Sequence, residues 1–320
     1  MKTVTSLVSY FLVAISMFAA SDASCSEVSL AQEPADFGIL VMAHGGKEAW
    51  NEAVLDAVRP LEAHYPTAVA FGMASAESLQ EATTELEAQG VRRIGVVRLF
   101  VSGESWLERT RQILGLSPGA PPKKEAHENH SGGGHHDLQS TFWQIDTESA
   151  FVLSHEGLSE ADEMSQVLRD RALDLSVDPE RESVLILAHG PADDEENTRW
   201  IEALSQLAEP IRMEFPFRAV EVQTLREDWE EKREAAEDRI RAFVEIANAE
   251  GGRCLVVPFR VFGFGPYAEV LEDLEYESDG RGLIPHEAIT VWLSRQSEAL
   301  SQGPFEPSMA IDAEVPAGTN

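Results

Sequence analysis

Continuous apolar runs alternate with amphipathic stretches along most of the chain, and this alternation restricts the fold more than any other feature. The run GILVMA at 38–43 has no alternating polar position, which is typical of a strand buried on both faces. A helical pattern of apolar residues follows it at about 47–64. Pairs of this kind, repeated in the same order, predict parallel sheets covered by helices on both sides.

The same order occurs in both halves of the chain. Strands are predicted at 38–43, 68–73, 92–101 and 149–154, and then at 184–188, 217–224 and within RCLVVPFRVFGFGP. The short polar segment VDPERE at 177–182 separates the halves. We therefore predict an α/β fold with two tandem lobes, 37–176 and 183–302, and a flexible tail at 303–320.

The N-terminus has the pattern of a secretory signal. Lys2 precedes the apolar stretch LVSYFLVAISMFAA, and the small residues SDAS follow it. The apolar stretch is shorter than the roughly 20 residues of a membrane span. This predicts a cleaved signal peptide at 1–23, a leader at 24–36 and export, to the periplasm. A lipid anchor at Cys25 is the less favoured alternative, because SDAS lacks the leucine expected before a lipidated cysteine.

The charge balance narrows the classes of partner. The chain has 25 Lys and Arg against 56 Asp and Glu, for a net charge of −31. Because phosphate contacts need cations, this argues against nucleic acid and anionic membranes. No further segment predicts an integral membrane partner. The chain also lacks a G-x-S-x-G motif and a phosphate-binding loop, so we expect neither hydrolase chemistry nor a nucleotide cofactor.

A histidine followed by glycine ends the first strand of each half, at His44 and His189. Ligands of parallel α/β sheets bind outside the carboxyl ends of the strands, where both histidines are predicted to lie. An imidazole there can bind a divalent metal or accept a proton. The alternative is a histidine that only satisfies backbone groups in a tight turn. The repetition favours a function for at least one copy.

The turns at the same sheet edges are candidate ligand-binding segments. Their glycines allow close approach to the backbone, and the helix N-termini that follow offer partial positive charge for carboxylates. The candidate residues are Gly45, Gly46, Ser102, Gly103, Ser105, Gly190, Gly263 and Gly265.

The segment 117–140 is rich in Pro, Gly and His and is predicted to form a loop. Imidazoles on a flexible tether bind Zn²⁺, Ni²⁺, Co²⁺ or Cu²⁺, which predicts an accessory metal-binding loop. Its histidines are His127, His130, His135 and His136. The alternative is a solvated low-complexity insert. Because the segment follows the third helix, we expect it at the sheet end opposite His44.

Three stretches of the first half resemble the class II chelatases of the CbiX/SirB type, the sirohydrochlorin cobalto- and ferrochelatases. They are GILVMAHGGKEAWNEAV, AFGMASAESLQEATTELEAQGVRRIGVVRLFVSGES and, more weakly, SAFVLSHEGLSEADEMSQVLRDRAL. The second half resembles the family through VLILAHGP and CLVVPFRVFGFG.

The resemblance implies two flavodoxin-like lobes that face each other across a cleft. There a tetrapyrrole with several carboxylates would receive Co²⁺, Fe²⁺ or Ni²⁺, and His44 occupies the position of the family's metal-binding histidine. Insertion displaces two pyrrole protons, so a neutral imidazole can both hand over the metal and accept a proton. The implied function is a metal chelatase, a lyase of tetrapyrrole (cobalamin or sirohaem) biosynthesis.

One expected histidine is missing. The family usually has a second histidine in the turn after the third strand, where this chain has Ser105 or Trp106. Glu104 is the candidate acidic substitute, Glu77 is a second one, and His189 is the candidate second metal ligand from across the cleft. The alternative function is therefore an exported carrier that binds metal or tetrapyrrole without inserting one into the other.

Overall fold

The computed structural model describes residues 36–123 and 141–310. The predicted signal peptide, most of the leader with Cys25, the histidines of the His-rich segment and the last ten residues of the tail lie outside the described residues. Both sheets of the described part belong to one compact unit, Pro34–Asn320.

The first sheet has the strand order β2-β1-β3-β4-β8. Its strands are β1 (Phe37–Ala43), β2 (Thr67–Phe71), β3 (Arg93–Leu99), β4 (Ala150–Leu153) and β8 (Glu306–Pro307). Strands β1 to β4 pair in parallel, and every residue of β1 is buried, as the apolar run GILVMA predicts.

The second sheet has the order β6-β5-β7 and is parallel throughout. Its strands are β5 (Glu182–Ala188), β6 (Ala219–Thr224) and β7 (Arg253–Phe259). The predicted fold class, two α/β lobes with parallel sheets, is confirmed.

Helices flank both sheets. They are α1 (Glu48–Val58), α2 (Ala76–Ala88), α3 (Leu107–Ile113), α4 (Glu163–Leu175), α5 (Asp194–Leu207), α6 (Glu209–Glu214), α7 (Glu230–Asn248), α8 (Tyr267–Val270) and α9 (Glu287–Ser301). None of the helices in the described ranges is long and apolar enough to cross a membrane.

Each half of the chain contributes one helix that packs on the sheet of the other half. Helix α4 precedes β5 in the chain but packs on β7 of the second sheet, and α9 follows β7 but packs on β3 of the first sheet. The close approach of α9 needs Gly95 in β3, since a Cβ there would lie 3.1 Å from Cβ of Leu300. One hydrophobic cluster therefore contains core residues of both sheets.

The predicted flexible tail is wrong for its first part. Phe151 pairs with Glu306 in the antiparallel β4–β8 ladder, and the Glu306 carboxylate accepts hydrogen bonds from Arg111 at 3.1–3.2 Å. The glycine and two prolines of 303–310 concealed this pairing, because they are typical of a loop and an edge strand needs backbone groups rather than an apolar run.

Thr141, the residue that follows the His-rich segment, lies at a place that the predicted topology did not anticipate. The carbonyl of Thr141 accepts a hydrogen bond from the Ala76 amide at the start of α2, 2.8 Å away. Helix α2 starts at the carboxyl edge of the first sheet, which is the edge that carries His44. The segment was expected at the opposite edge, but Thr141, the residue that follows it, lies at the edge of His44.

Candidate functional site

His44 lies where the order of the first sheet reverses. Strand β1 lies between β2 and β3, and the chain goes from β1 to β2 on one side and then crosses to β3 on the other. Helices that start beside such a strand diverge, which opens a crevice at its carboxyl end. Strand β5 has the same position between β6 and β7, so His189 lies at the matching point of the second sheet.

Within residues 36–123 and 141–310, only one nitrogen of the His44 imidazole has a hydrogen-bond partner. Its Nδ1 lies 2.9 Å from the carbonyl oxygen of Gly45, which can only accept, so Nδ1 carries the proton. The lone pair of the neutral ring is then on Nε2. The ring stacks on the indole of Trp50, with centroids 5.6 Å apart, and Trp50 stacks on Phe262 of the second lobe at 6.0 Å.

The two glycines after His44 shape this turn rather than line a cavity. Gly45 has φ +73°, which a side chain would strain. A Cβ on Gly46 would lie 2.8 Å from Cε3 of Trp50. Gly46 therefore allows the indole of Trp50 to pack beside His44, whereas Gly45 makes room for Phe71, whose Cβ would lie 3.0 Å from an added Cβ. The predicted role of both glycines in tetrapyrrole binding stays a prediction.

Both nitrogens of His189 face acceptors. Nδ1 lies 2.6 Å from the carbonyl oxygen of Gly190, and Nε2 lies 3.0 Å from Oδ2 of Asp228. The ring makes both hydrogen bonds only as an imidazolium, because each nitrogen must donate. His189 must therefore give up Asp228 before it can bind a metal, whereas His44 presents a free nitrogen.

Both histidines line one cavity of about 800 Å³ between the lobes. Four of the chain's six tryptophans line it as well, namely Trp50, Trp106, Trp200 and Trp229. Of the predicted turn residues, Ser105 and Gly190 line the cavity. The size falls within the range of about 300–1,000 Å³ that small-molecule sites occupy.

A buried arginine builds the turn that follows β3. The Arg98 guanidinium donates to the carbonyls of Gly103, Ser105 and Ser154 at 2.5, 2.8 and 2.9 Å. Burial lowers its pKa to about 10, against a smaller opposing effect of Glu160. Sequence reasoning missed Arg98, although a charged residue within an apolar strand was the available signal.

Two predicted ligand-binding residues of that turn are inaccessible. Ser102 is buried, and its hydroxyl accepts from the Glu104 amide. A Cβ on Gly103 would lie 1.9 Å from the His155 carbonyl oxygen, so Gly103 serves close packing of two loops. These two assignments were wrong, because the turn folds back onto the loop after β4.

Trp106 occupies the neighbourhood where the family's second histidine was expected. It lines the cavity with φ +59°, a left-handed conformation that is uncommon for a bulky residue. Backbone strain of this kind persists where the surrounding structure imposes it, and it concentrates at functional sites. The first lobe thus presents an aromatic surface where an imidazole was expected.

In the second lobe, an ion pair replaces the predicted glycine contacts. Gly263 and Gly265 do not line the cavity. Instead Arg260 lines it and donates to Oε2 of Glu227 at 2.5 Å. A Cβ on Gly265 would lie 2.7 Å from the Arg260 guanidinium, so this glycine makes room for the arginine.

Glu104 lies outside the cavity lining, but its charge raises the pKa of a carboxyl in that lining, the one of Glu196. It pairs with Arg199 of α5 across the lobes at 3.2 Å. Glu196, on the first turn of α5, lines the cavity. Burial raises the pKa of the Glu196 carboxyl, and the negative charge of Glu104 raises it further. Sequence reasoning did not select Glu196. Glu77, the other candidate substitute, is exposed.

The expectation that helix N-termini at this edge attract carboxylates is wrong for α5. The side chain of Asp193 already accepts from the Glu196 amide at 2.8 Å. Asp194 accepts from Arg226 and from Lys232, at 2.8 and 2.7 Å. The helix end is thus capped by the chain itself, and both nearby cations share a single carboxylate, that of Asp194.

No group of three or more His, Cys, Asp or Glu side chains among residues 36–123 and 141–310 is arranged to hold a metal ion. A metal at His44 would therefore complete its coordination with ligands from elsewhere, such as water or the nitrogens of a bound macrocycle.

The two-lobed α/β fold is similar to that of solved chelatase structures. The structure of SirB from Bacillus subtilis with Fe³⁺ is similar to 85% of this chain over 99% of its own length, with a TM-score of 0.57 and 15% identity. SirB from Bacillus subtilis subspecies spizizenii in complex with cobalt matches 83% of this chain and 96% of its own at a TM-score of 0.52 and 13% identity. At these identities the likeness is one of fold.

Sequence comparison finds similarity in the first lobe. Residues 38–174 match the model of the CbiX family. The sirohydrochlorin cobaltochelatase of Methanothermobacter thermautotrophicus is 36% identical over 87 residues, which are 26% of this chain and 61% of that relative. The chain thus matches less than two thirds of the relative's length. These findings confirm the predicted resemblance of residues 38–174 to the CbiX family.

Proposed function

We propose that the protein inserts a divalent metal ion, Co²⁺, Fe²⁺ or Ni²⁺, into a tetrapyrrole held between its lobes. One observation carries the proposal: His44, with a free Nε2, faces an aromatic cavity of about 800 Å³ at the switch point of a CbiX-type lobe. The names of the relatives, sirohydrochlorin cobaltochelatase and SirB with iron or cobalt, support the metal and macrocycle class.

The residues of the cavity support both parts of the reaction. The Nε2 lone pair of His44 binds the incoming metal, and tryptophan faces hold the flat macrocycle by stacking. The metal replaces two pyrrole protons, which must be accepted nearby. The vacated Nε2 of His44 accepts one, and the Glu196 carboxylate, whose pKa is raised, is suited to accept the other.

The test is an anaerobic spectrophotometric assay of Co²⁺ insertion, with sirohydrochlorin and, in parallel, mesoporphyrin. We expect His44→Ala to lower the enzyme-dependent rate by about 10² or more, because the metal ligand and a proton acceptor are lost together. The matched control is His64→Ala, an exposed histidine outside the cavity lining. Equal background rates for wild type and His44→Ala with both macrocycles would exclude the enzyme.

We propose His189 as the second, weaker metal ligand. Because its Nε2 is engaged by Asp228, binding must first break that hydrogen bond. We expect His189→Ala to weaken Co²⁺ affinity, measured by calorimetry, by less than His44→Ala does. An unchanged affinity would contradict the role of His189.

A carrier without insertion activity is the second candidate. It is favoured by the lack of three clustered ligands among the described residues, and by Trp106 in the place of the expected histidine. Binding of metal and macrocycle without turnover in the same assay would support it.

We also propose export through the N-terminal signal, on the sequence pattern of residues 1–23 alone. The test is N-terminal sequencing of the mature protein from the periplasmic fraction. A mature protein that starts at Met1 in the cytoplasm would contradict it.

A further inference from the structure

Three aromatic rings, drawn from both lobes, are in contact one after another at His44. The His44 imidazole stacks on the Trp50 indole, with ring centroids 5.6 Å apart and ring planes 20° apart. The same indole stacks on Phe262, with centroids 6.0 Å apart and planes 29° apart. Favourable aromatic pairs have centroid separations of about 4.5–7 Å. A side chain of the second lobe therefore reaches the histidine of the first lobe through one indole.

The orientation of the His44 ring depends on this stack. His44 is exposed, so close packing on all sides does not hold it. Its one hydrogen bond to the part of the chain that the structure describes joins Nδ1 to the carbonyl oxygen of the adjacent Gly45. A contact at a single ring atom fixes the proton on Nδ1 but leaves the ring plane free to turn about that contact. The flat face of the indole removes this freedom.

Trp50 contributes its ring face and not its N–H group. Its Nε1 is buried and has no hydrogen-bond acceptor within residues 36–123 and 141–310. A buried indole N–H usually finds an acceptor, and leaving it without one costs free energy. A smaller apolar side chain would avoid this cost. The advantage of the indole at this position is therefore a flat surface large enough to contact both His44 and Phe262.

The second lobe holds Phe262 in place. Phe262 lies in the turn after β7 and outside the cavity lining. It pairs with Ile284 in a parallel bridge, and the Ile284 amide donates to the Val261 carbonyl at 2.9 Å. Ile284 is fully buried and shortly precedes α9, which packs on β3 of the first sheet. Phe262 is thus tied to the segment that docks on the first lobe.

From this geometry we infer that Trp50 and Phe262 are positioning residues for His44: the indole orients the imidazole, and Phe262 supports the indole from the second lobe. The inference rests on the proposed function, in which Nε2 of His44 binds the metal. Without the stack, the ring can turn away from the Gly45 carbonyl and carry its proton on Nε2, which then has no lone pair for a metal. The second lobe, which lies outside the CbiX match of residues 38–174, thereby takes part in metal binding.

The first experiment measures Co²⁺ binding by calorimetry. Because the chain has nine histidines, only the binding step that His44→Ala removes is compared. We expect Trp50→Leu to raise the Kd of this step by about threefold to tenfold and Phe262→Leu by about twofold to fivefold. Trp50→Phe and Phe262→Tyr keep a stacking ring and should recover most of the loss. The matched control Phe264→Leu removes a ring of the same turn that stacks on Tyr276 instead, and it should leave Kd unchanged.

A second measurement follows the proton of His44 by ¹⁵N NMR of histidine-labelled protein, at a pH where the ring is neutral. The signal that is absent from His44→Ala should report a proton on Nδ1 in the wild type. In Trp50→Leu and in Phe262→Leu it should shift towards a proton on Nε2, which a loss of stability alone would not cause.

A double variant tests the route through the indole. Since Phe262 acts on His44 through Trp50, Phe262→Leu should not weaken Co²⁺ binding further in a chain that already carries Trp50→Leu. In the insertion assay, Phe262→Leu should raise KM for Co²⁺ and leave KM for the macrocycle unchanged, because Phe262 does not line the cavity.

The outcomes distinguish this inference from the proposed function. Wild-type Co²⁺ affinity and an unchanged His44 proton in folded Trp50→Leu overturn the inference, as does a Phe262→Leu effect that adds in full to that of Trp50→Leu. In either case His44-dependent insertion would still support the proposed function. If Trp50→Leu does not fold, the same two measurements on Phe262→Leu, a half-buried position, decide the inference. Identical Co²⁺ titrations of wild type and His44→Ala overturn both.

Discussion

Glu196 shows how a residue of this cleft acquires its chemistry from its surroundings. It lies in an acidic run, DDEEN, that looks like an ordinary solvated helix start in the sequence. Burial raises the pKa of its carboxyl first, and Glu104 of the other lobe adds to this. A carboxyl with a raised pKa accepts a proton more readily near neutral pH than an ordinary one does.

Replacing Glu104 by Gln should shift the pH dependence of insertion. Loss of the Glu104 charge removes a repulsion and frees Arg199, and both changes lower the pKa of Glu196. The proton acceptor must be ionised for insertion. The rise of activity with pH should therefore occur at a lower pH in the variant than in the wild type. The measurement is the pH profile of kcat/KM, with Glu108→Gln, an exposed residue of α3, as control. A profile that moves to higher pH would contradict this assignment.

Replacing Gly46 by Ala should disturb the metal ligand indirectly. The added Cβ would meet the Trp50 ring at 2.8 Å and displace the indole on which His44 stacks. We expect weaker Co²⁺ binding and little loss of global stability, because Gly46 is exposed. Calorimetric titration with metal and urea unfolding measure the two effects. The control is Ala49→Ser on the exposed surface of α1. Equal metal affinity of wild type, Gly46→Ala and the control would contradict the role of Gly46.

At the scale of elements, α9 joins the lobes. Its Arg295 binds both Glu156 and Glu163 of the first half, and its Trp292 indole donates to Glu156 at 2.9 Å. The Arg295 hydrogen bonds lower the pKa of Glu163, against a smaller effect of burial. The helix is thus held on the first lobe by charge as well as by apolar packing.

Replacing Arg295 by Gln should lower the free energy of unfolding by about 1 kcal/mol at pH 7, a modest value because the side chain is partly exposed. A depressed carboxyl pKa contributes stability above the unfolded value of about 4.3, and this is lost as the pH falls through the folded value. The difference between wild type and variant should therefore shrink in acid. Urea unfolding at several pH values measures it, with Arg59→Gln, an exposed pair with Asp56, as control. A difference that grows in acid would contradict the argument.

At the scale of the whole molecule, the exchanged helices and the shared hydrophobic cluster make the two lobes interdependent. Each sheet has one face covered by a helix that belongs to the other half of the chain. Separate unfolding would expose that apolar face, which costs about 25 cal/mol for each Å².

Truncation after residue 285 should therefore destabilise the first lobe, although the removed residues follow the second. The loss of α9 and β8 uncovers β3 and β4. We expect a single calorimetric transition for the full chain and no cooperative transition for the truncated one. Truncation after residue 310, which removes no described contact, is the control. A first-lobe transition that survives the deletion at 285 would contradict the interdependence.

The sequence by itself determined where the strands lie, that they pair in parallel, and that two of them end at a histidine. These features depend on local apolar periodicity and on where a strand ends. It also allowed the CbiX resemblance, which the family match of residues 38–174 confirms. The signal peptide and the role of the His-rich segment stay predictions.

The tertiary structure alone decided what surrounds the histidines. Trp50, Trp106, Trp200 and Trp229 are scattered through the sequence and meet in one cavity only when the lobes face each other. Whether a charge is available depends on its partner in space, and so Arg260 is neutralised by Glu227 and His189 is engaged by Asp228. The docking of α9 on the first sheet was likewise decided by the tertiary structure. Periodicity reports that a face is buried, but the partner that covers it is chosen by long-range packing.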